Sequence, residues 1–122
     1  MIARIWRGET RAEDGDAYAL YLRKTGEAEC RAVPGNRGVM ILRGPSSPRP
    51  PSPEPQEKGE NDERTEFVFV SFWDSMDAVR AFSGEETERA RYYPEDERWL
   101  LSLDPEVRHF EVASADPPLF AS

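Results

Sequence analysis

The feature that most constrains the fold is an apolar run near the middle of the chain. Residues 65–73 read TEFVFVSFW, and β-branched and aromatic side chains of this kind are typical of a strand. Large apolar groups fall on both sides of that strand, with Phe67, Phe69 and Trp73 on one and Val68, Val70 and Phe72 on the other. A half-exposed antiparallel strand would alternate apolar and polar residues, so we expect both faces of this strand to be covered.

The other predicted elements surround this strand in a recognisable order. Residues 2–10 and 38–43 are rich in strand-forming side chains, and residues 12–31 carry apolar side chains at helical spacing. Asp74 or Ser75 can cap a short helix that stops before Gly84, and residues 107–112 alternate as a last strand. The order strand, helix, strand, strand, helix, strand predicts an α+β, ferredoxin-like fold: a four-stranded antiparallel sheet with both helices on one face.

Glycine and proline mark the places where helices are expected to break. Gly26 is expected to interrupt the first helix. A further helical piece is predicted over residues 85–91, and Pro94 with the three carboxylates after it predicts another helix start. We interpret the acidic run over residues 85–97 as a solvated helix face rather than a metal site.

A proline-rich segment separates the second and third predicted strands. Residues 44–64 contain six prolines and almost no apolar side chain, so burial cannot offset the entropy of ordering them. We predict a long exposed hairpin loop inserted in a single domain over residues 1–113, followed by a polar tail over residues 114–122. Such a loop is either a tolerated insertion or, in polyproline II geometry, a ligand for SH3-type domains.

Composition excludes several classes of partner. The net charge of −8 and the lack of a basic cluster argue against nucleic acid and anionic membranes, and no run of about 18 apolar residues could span a bilayer. A single cysteine, Cys30, cannot form an internal disulfide, and one histidine leaves no ligand set for structural zinc. We therefore predict a cytoplasmic protein without metal or cofactor, in which Cys30 is a buried structural thiol.

Strand parity divides the outer residues into an apolar set and a mixed set. The apolar set comprises Ala3, Ile5, Phe110 and Val112. The mixed set comprises Arg4, Trp6, Ser71, Trp73, His109 and Glu111. Large aromatics with a few polar groups are typical of a small-molecule pocket, and we assign the mixed set to the inner face of the sheet. Because helices can cover only one face, we expect two sheets to pack face to face in a homodimer.

Five segments of the chain resemble small bacterial proteins of the antibiotic-biosynthesis-monooxygenase family. They are MIARIWRG at residues 1–8, PGNRGV at 34–39, FVSFWDSM at 69–76, ARYYPEDE at 90–97 and HFEV at 109–112. The resemblance implies a dimeric α+β barrel built from two ferredoxin-like sheets. The family it resembles includes cofactor-independent monooxygenases of polycyclic aromatic polyketides, haem-degrading enzymes and many members without an assigned activity, so the resemblance implies either of these two activities or neither.

The resemblance favours one of these activities over the other. The haem-degrading branch has an asparagine on the first strand and a histidine on the second helix. Here the first strand offers Arg4, Trp6 and Arg7, and the second predicted helix has no histidine, so haem degradation is disfavoured. In the family a tryptophan on the third strand often lines the pocket, and Trp73 matches that position.

The candidate chemistry needs few residues. A cofactor-free monooxygenase acting on an electron-rich quinol or anthrone supplies deprotonation, orientation and exclusion of water. His109 has the ordinary pKa of a proton acceptor near neutrality, and Arg4 could hold a substrate anion. Trp6 and Trp73 could sandwich a planar ring beside Ser71. Tyr92 and Tyr93 either cap the entrance of the pocket or pack beneath a helix turn.

Two alternatives to an enzyme stay open. A non-catalytic dimer that binds small aromatic molecules would keep the pocket without needing His109. A purely structural interaction domain would need no cavity at all. Binding of a ligand that survives loss of His109 would favour the first, and an inner face packed solid with side chains would favour the second.

Overall fold

A computed structural model describes residues 1–46 and 63–118 of the chain. The strands are β1 (Ile2–Arg11), β2 (Asn36–Pro45), β3 (Arg64–Trp73), β4 (Leu100–Leu103) and β5 (Arg108–Glu111). The helices are α1 (Gly15–Leu22), α2 (Ala28–Arg31), α3 (Met76–Ser83) and α4 (Asp96–Trp99). A 3-10 turn, Ala12–Asp14, leads into α1, and a π-helical segment, Arg23–Glu27, joins α1 to α2.

The strands form one antiparallel sheet in the order β2–β3–β1, and both β4 and β5 pair with the free edge of β1. β5 lies along Ile2 to Ile5 and β4 along Gly8 to Thr10. The α+β class and the ferredoxin-like sheet are therefore as predicted. The edge expected to hold one last strand instead holds two short ones, because residues 104–107 bend the chain between them. β4 was not expected from the sequence.

The predicted first helix is present as one helical run from Ala12 to Arg31. Gly26 does not end this run but lies in its π-helical segment, where the backbone comes close to the sheet. A Cβ atom at Gly26 would stand 3.1 Å from two ring carbons of Phe69, which is tighter than ordinary contact. The glycine therefore lets the helical run settle directly on the aromatic floor of the sheet.

The second predicted helix, α3, begins and ends where its capping residues indicate. The Ser75 hydroxyl accepts a hydrogen bond from the Ala78 amide at 3.2 Å, and Gly84 ends the helix with φ 83°. Val79 and Phe82 lie on its buried side. Each of these features follows from local sequence chemistry.

The segment that follows α3 differs from its prediction. Residues 85–91 are not helical but form turns, with a single β-bridge between Arg89 and Glu106. The carbonyls of Thr87 and Arg89 accept hydrogen bonds from the guanidinium of Arg4. These carbonyls therefore bond to a side chain of β1 instead of to the backbone amides of a helix. The helix predicted near Pro94 is only the four-residue α4, which begins two residues later.

The two faces of the sheet are covered differently. On one face the helical run and α3 pack on Phe67 and Trp73. On the other, a second apolar cluster is centred on Ala3, Val70 and Phe72. Among the described residues this second cluster draws only on strands and on the residue after β5, so no helix covers it. The helices therefore cover one face of β3, and the expectation that a second sheet covers the other face stays a prediction.

The proline-rich segment begins and ends inside the sheet. Pro45 pairs with Thr65, and the Ser46 amide donates to the Arg64 carbonyl at 3.0 Å, so the ends of the loop predicted over residues 44–64 extend the β2–β3 ladder. Residues 47–62 of that loop and residues 119–122 of the predicted tail lie outside the described residues. Within the described part of the chain, no helix combines the length and apolar character needed to cross a membrane.

Candidate functional site

A cavity lies between the sheet and the helical run. Its floor is formed by two cross-strand pairs of β1 and β3, Arg4 with Ser71 and Trp6 with Phe69. Its roof is formed by Tyr18, Leu22 and Gly26. The cavity is partly open to solvent, and its volume is about 50 Å³, which is room for roughly four water molecules at about 10–15 Å³ each. The cavity thus belongs to one protomer and does not require a second sheet.

Arg4 brings a buried positive charge to the cavity. Arg4 is only 4% exposed. Its guanidinium donates hydrogen bonds to the carbonyls of Thr87 and Arg89, the latter at 2.9 Å. Burial lowers the pKa of Arg4, yet the group stays charged at neutral pH because its ordinary value is so high. No carboxylate of the described residues forms an ion pair with it. The site therefore holds a cation without a matching acid.

His109 stands directly beside this cation. β5 pairs with β1 so that His109 is opposite Arg4, and its Nε2 lies 3.2 Å from Nη1 of Arg4. A guanidinium can only donate, so Nε2 accepts and the ring proton sits on Nδ1. Burial, followed by the charge of Arg4, lowers the pKa of His109, and the ring is neutral at neutral pH. His109 is not among the residues that line the cavity.

A second arginine on the cavity wall has its acid partner. Arg91 lies over the Phe82 ring at 5.1 Å, and its Nε is 3.3 Å from the Glu29 carboxylate. The same carboxylate accepts a hydrogen bond from the Tyr93 hydroxyl at 2.7 Å. Arg4 lies over the same ring at 5.9 Å. Of the two guanidinium groups around Phe82, that of Arg91 has a carboxylate partner, whereas that of Arg4 has none among residues 1–46 and 63–118.

A buried carboxylate lines the cavity beneath the helical run. Asp96 is 5% exposed; its Oδ1 accepts from the Tyr18 hydroxyl at 3.1 Å and its Oδ2 from the Tyr93 amide at 2.7 Å. Burial raises the pKa of Asp96 above its ordinary value, although both hydrogen bonds oppose that shift. The expectation that this acidic run is a solvated face is therefore wrong for Asp96. The sequence feature that could have indicated this is Tyr18, because a tyrosine on the buried side of a helix needs a hydrogen-bond partner for its hydroxyl.

The structure brings together four of the seven residues predicted for the site. Arg4, Trp6, Ser71 and Tyr93 line the cavity. Trp73 lies behind it: the residue is completely buried, and its indole nitrogen donates to the Ser71 hydroxyl at 2.9 Å. Tyr92 is 44% exposed and lines a separate surface groove. Tyr93 and Asp96 line both this groove and the cavity. The seventh residue, His109, reaches the site only through Arg4.

Local geometry fixes Trp6 in the cavity floor. Its indole nitrogen donates to the Asp104 carbonyl at 3.1 Å. Its ring extends over Gly8, where a Cβ atom would stand 2.6 Å from a ring carbon. Only glycine at that position leaves space for this orientation of the indole.

Metal-ligating side chains and the single cysteine are the other candidates for chemistry. Among the described residues no three side chains of the types that ligate metals come together. Cys30 is completely buried, and burial raises its pKa to about 12, so it is a protonated thiol at neutral pH. This agrees with its interpretation as a structural residue.

Comparison with known proteins places the chain in a family. The family described as antibiotic biosynthesis monooxygenase matches residues 1–90 of the 122. A search of curated proteins gave no match. The matched residues include β1, the helical run, β3 and α3, which together provide the floor and roof of the cavity. This chain therefore belongs to the antibiotic biosynthesis monooxygenase family, whose members share the dimeric α+β barrel architecture.

Proposed function

We propose that the chain is a cofactor-independent monooxygenase that binds a small electron-rich aromatic molecule, of the quinol or anthrone kind, in the cavity under the helical run. The observation that carries this proposal is Arg4, a buried cation without an acid partner on the floor of an aromatic cavity. Membership of a monooxygenase family supports the reaction type. Arg4 is suited to hold the anion of a phenol or enol, the form that gives up an electron to dioxygen most readily.

The overall reaction balances without a cofactor. An anthrone-type substrate loses the two hydrogens of one CH₂ group and gains one oxygen atom of O₂ as a carbonyl. The second oxygen atom leaves with those two hydrogens as water. The chain contributes binding of the anion, orientation of the ring against Trp6 and Phe69, and a cavity with room for only a few water molecules.

The predicted role of His109 as the base has a geometric condition. Its Nε2 accepts a hydrogen bond from Arg4, so the lone pair is free only after Arg4 turns Nη1 toward a bound anion. In the free protein the same hydrogen bond holds the guanidinium over the cavity floor. His109→Gln retains a polar side chain without the imidazole, and unchanged turnover in this variant would remove His109 as the base.

Substrate entry requires a movement at Tyr93. A cavity of about 150 Å³ accommodates benzene, whereas the cavity here has a volume of about 50 Å³. On the other side of Tyr93 and Asp96 lies an open groove of about 560 Å³, also lined by Tyr92. We propose that Tyr92 and Tyr93 form the entrance, and that the hydrogen bond from Tyr93 to Glu29 keeps it closed in the free protein.

We also propose that the apolar face opposite the helices is the homodimer interface. Leu42 on that face is 49% exposed and Phe110 41% exposed, beside the cluster of Ala3, Val70 and Phe72. Leu42→Glu should give a monomer in analytical ultracentrifugation at micromolar concentration, because it places a charge in the interface. Leu20→Glu is the matched control, since Leu20 is 50% exposed on α1. If both variants remain dimers, the interface lies elsewhere.

The function is tested by incubating the purified protein with anthrone and with hydroquinone, first without and then with oxygen, and in the presence of a chelator. We expect oxygen uptake with anthrone and formation of its carbonyl product without added flavin or metal. Tryptophan fluorescence should change on binding, since Trp6 lines the cavity. A fluorescence change without product would favour the non-catalytic binding dimer. No response in either measurement would refute both functions.

A further inference from the structure

We propose that Asp96, rather than His109, is the proton acceptor of this cavity and that Tyr18 positions its carboxylate; Asp96 lines the cavity, whereas His109 does not and its Nε2 accepts from Arg4. The inference rests on the proposed function and narrows its substrate class: the aromatic molecule would present an acidic O–H or C–H group to Asp96 and the resulting anion to Arg4. Both residues line the cavity, so both can contact one bound molecule. Asp96 lies beyond residues 1–90, so the family match assigns it no role.

The hydrogen bonds of Asp96 leave it able to accept a further proton. Its two oxygens provide about four lone-pair sites, of which Tyr18 and the Tyr93 amide use two. Both partners are donors, so both stabilise the ionised form. Tyr18 is completely buried, and burial raises its pKa, so its hydroxyl keeps its own proton and acts as a fixed donor.

The charges and burial around Asp96 distinguish it from Glu29, the other acid near the cavity. The Glu29 side chain is exposed and has Nε of Arg91 at 3.3 Å as an ion-pair partner. Asp96 has no lysine, arginine or histidine ion-pair partner among the described residues. A carboxylate that is buried without a cation has a raised pKa, which brings it closer to the value a general base needs.

Asp96 also closes a turn, and this role must be separated from proton transfer. Its amide donates to the Tyr93 carbonyl at 3.0 Å while Oδ2 accepts from the Tyr93 amide. The turn needs an acceptor but no negative charge. Asparagine can keep its oxygen toward the Tyr93 amide and direct its NH₂ at the Tyr18 hydroxyl, which can then accept. Asp96→Asn therefore retains the turn and removes only the base.

The proposed step moves one proton. The O–H or C–H bond of the substrate breaks, the electron pair stays on the substrate, and the proton passes to Oδ1 of Asp96. The anion that forms is stabilised by Arg4. The anion then adds dioxygen, and Asp96 gives its proton to the outer oxygen of the peroxide that forms, which regenerates the carboxylate. Asp96 next takes the second C–H proton, the electron pair of that C–H bond forms the carbonyl as the O–O bond breaks, and the hydroxide that leaves takes this proton from Asp96 to become water.

The experiment compares wild type with Asp96→Asn and Tyr18→Phe, using anthrone as the probe. Oxygen uptake gives kcat and kcat/KM as functions of pH, and anaerobic tryptophan fluorescence gives Kd. For Asp96→Asn we expect kcat to fall about 10²- to 10⁴-fold and the acid limb of the pH profile to disappear, while Kd changes only several-fold. For Tyr18→Phe we expect retained turnover with the acid limb at higher pH, because the carboxylate loses a donor that lowers its pKa.

Thermal unfolding tests whether the Asn variant is folded. A carboxyl group whose pKa is raised in the folded state contributes stability at low pH and loses it as pH rises through that pKa. Asp96→Asn should therefore melt no lower than wild type at neutral pH and lose any advantage in acid. Asp77→Asn is the control, since Asp77 is exposed on α3 and paired with Arg80. It should leave oxygen uptake and Kd unchanged.

The outcomes separate the inference from the function on which it rests. If anthrone binds and turns over in wild type while Asp96→Asn keeps both kcat and the acid limb, Asp96 is not the proton acceptor and the monooxygenase proposal stands. If anthrone neither binds nor turns over in wild type, the proposed function fails and the role of Asp96 fails with it. If Tyr18→Phe leaves the limb in place, the positioning role of Tyr18 is refuted.

Discussion

Replacing Arg4 with methionine should remove anion binding while leaving the protein folded. Methionine fills a similar volume, and it removes a charge that is buried without an acid partner. The carbonyls of Thr87 and Arg89 lose their donor, but both belong to turns that are partly open to water. Exchanging a buried ion for an apolar side chain of similar size is often neutral, so we expect the free energy of unfolding to change by less than about 2 kcal/mol.

The effect on binding should be larger and specific to charge. A hydrogen bond from a charged donor contributes about 1.5–3 kcal/mol, and each 1.4 kcal/mol is about tenfold, so losing it weakens anion binding roughly 10- to 150-fold. Benzoate and benzamide have nearly the same shape and differ in charge. Wild type should prefer benzoate by about this factor, and Arg4→Met should show no preference.

Calorimetric titration with the two probes provides the assay. Arg43→Met is the matched control, because Arg43 lies on β2, is exposed and is paired with Asp16 at 2.9 Å. It should retain the wild-type preference for benzoate. Equal preference in Arg4→Met and wild type would refute the reasoning, since the anion would then be held by another group.

Two further predictions follow from the surroundings of the cavity. The single histidine of the chain gives one imidazole signal in NMR; because burial and Arg4 lower the pKa of His109, its midpoint should lie below about 6.5 and rise in Arg4→Met. If the NMR midpoint of His109 were the same in Arg4→Met as in wild type, Arg4 would not lower the pKa of His109. The free energy of unfolding should fall as pH drops from about 6.5 through the lowered pKa of His109, and His109→Gln should lack this loss. Gly26→Ala should destabilise by about 1 kcal/mol, because the clash with Phe69 outweighs the gain in helix propensity. Gly44→Ala, with open space at its Cβ, should melt at or above wild type, and equal melting of the two variants would contradict the close packing at Gly26.

The elements that local chemistry determines could be predicted from the sequence. The alternation along β1 and β5 put Arg4 and His109 on the same face, and the register confirms that they are opposite each other. Ser75 and Gly84 marked the ends of α3 because capping depends on neighbouring backbone groups. The two-sided apolar pattern of β3 predicted cover on both faces, and the structure shows helices on one face and an apolar cluster without a helix on the other.

The features that the sequence did not predict depend on partners far along the chain. Residues 85–91 have the composition of a helix, but the carbonyls of Thr87 and Arg89 accept hydrogen bonds from Arg4, which is more than 80 positions away in the sequence. Asp96 looked solvated beside its charged neighbours, and only the tertiary contact with Tyr18 buries it. The alternation of side chains along β3 predicts the face of the sheet on which Trp73 lies. It does not predict whether the indole reaches the cavity or is buried next to it. The indole in fact supports Ser71 from behind.

The most direct test of the account is a crystal structure of the protein with anthrone bound. We predict that the ring lies between the sheet and the helical run, against Trp6 and Phe69, with its oxygen within hydrogen-bonding distance of Arg4 and with Tyr93 displaced toward the groove. Anthrone seated on the opposite face of the sheet, against Ala3 and Phe72, would contradict the account, because the cavity of each protomer would then not be the binding site.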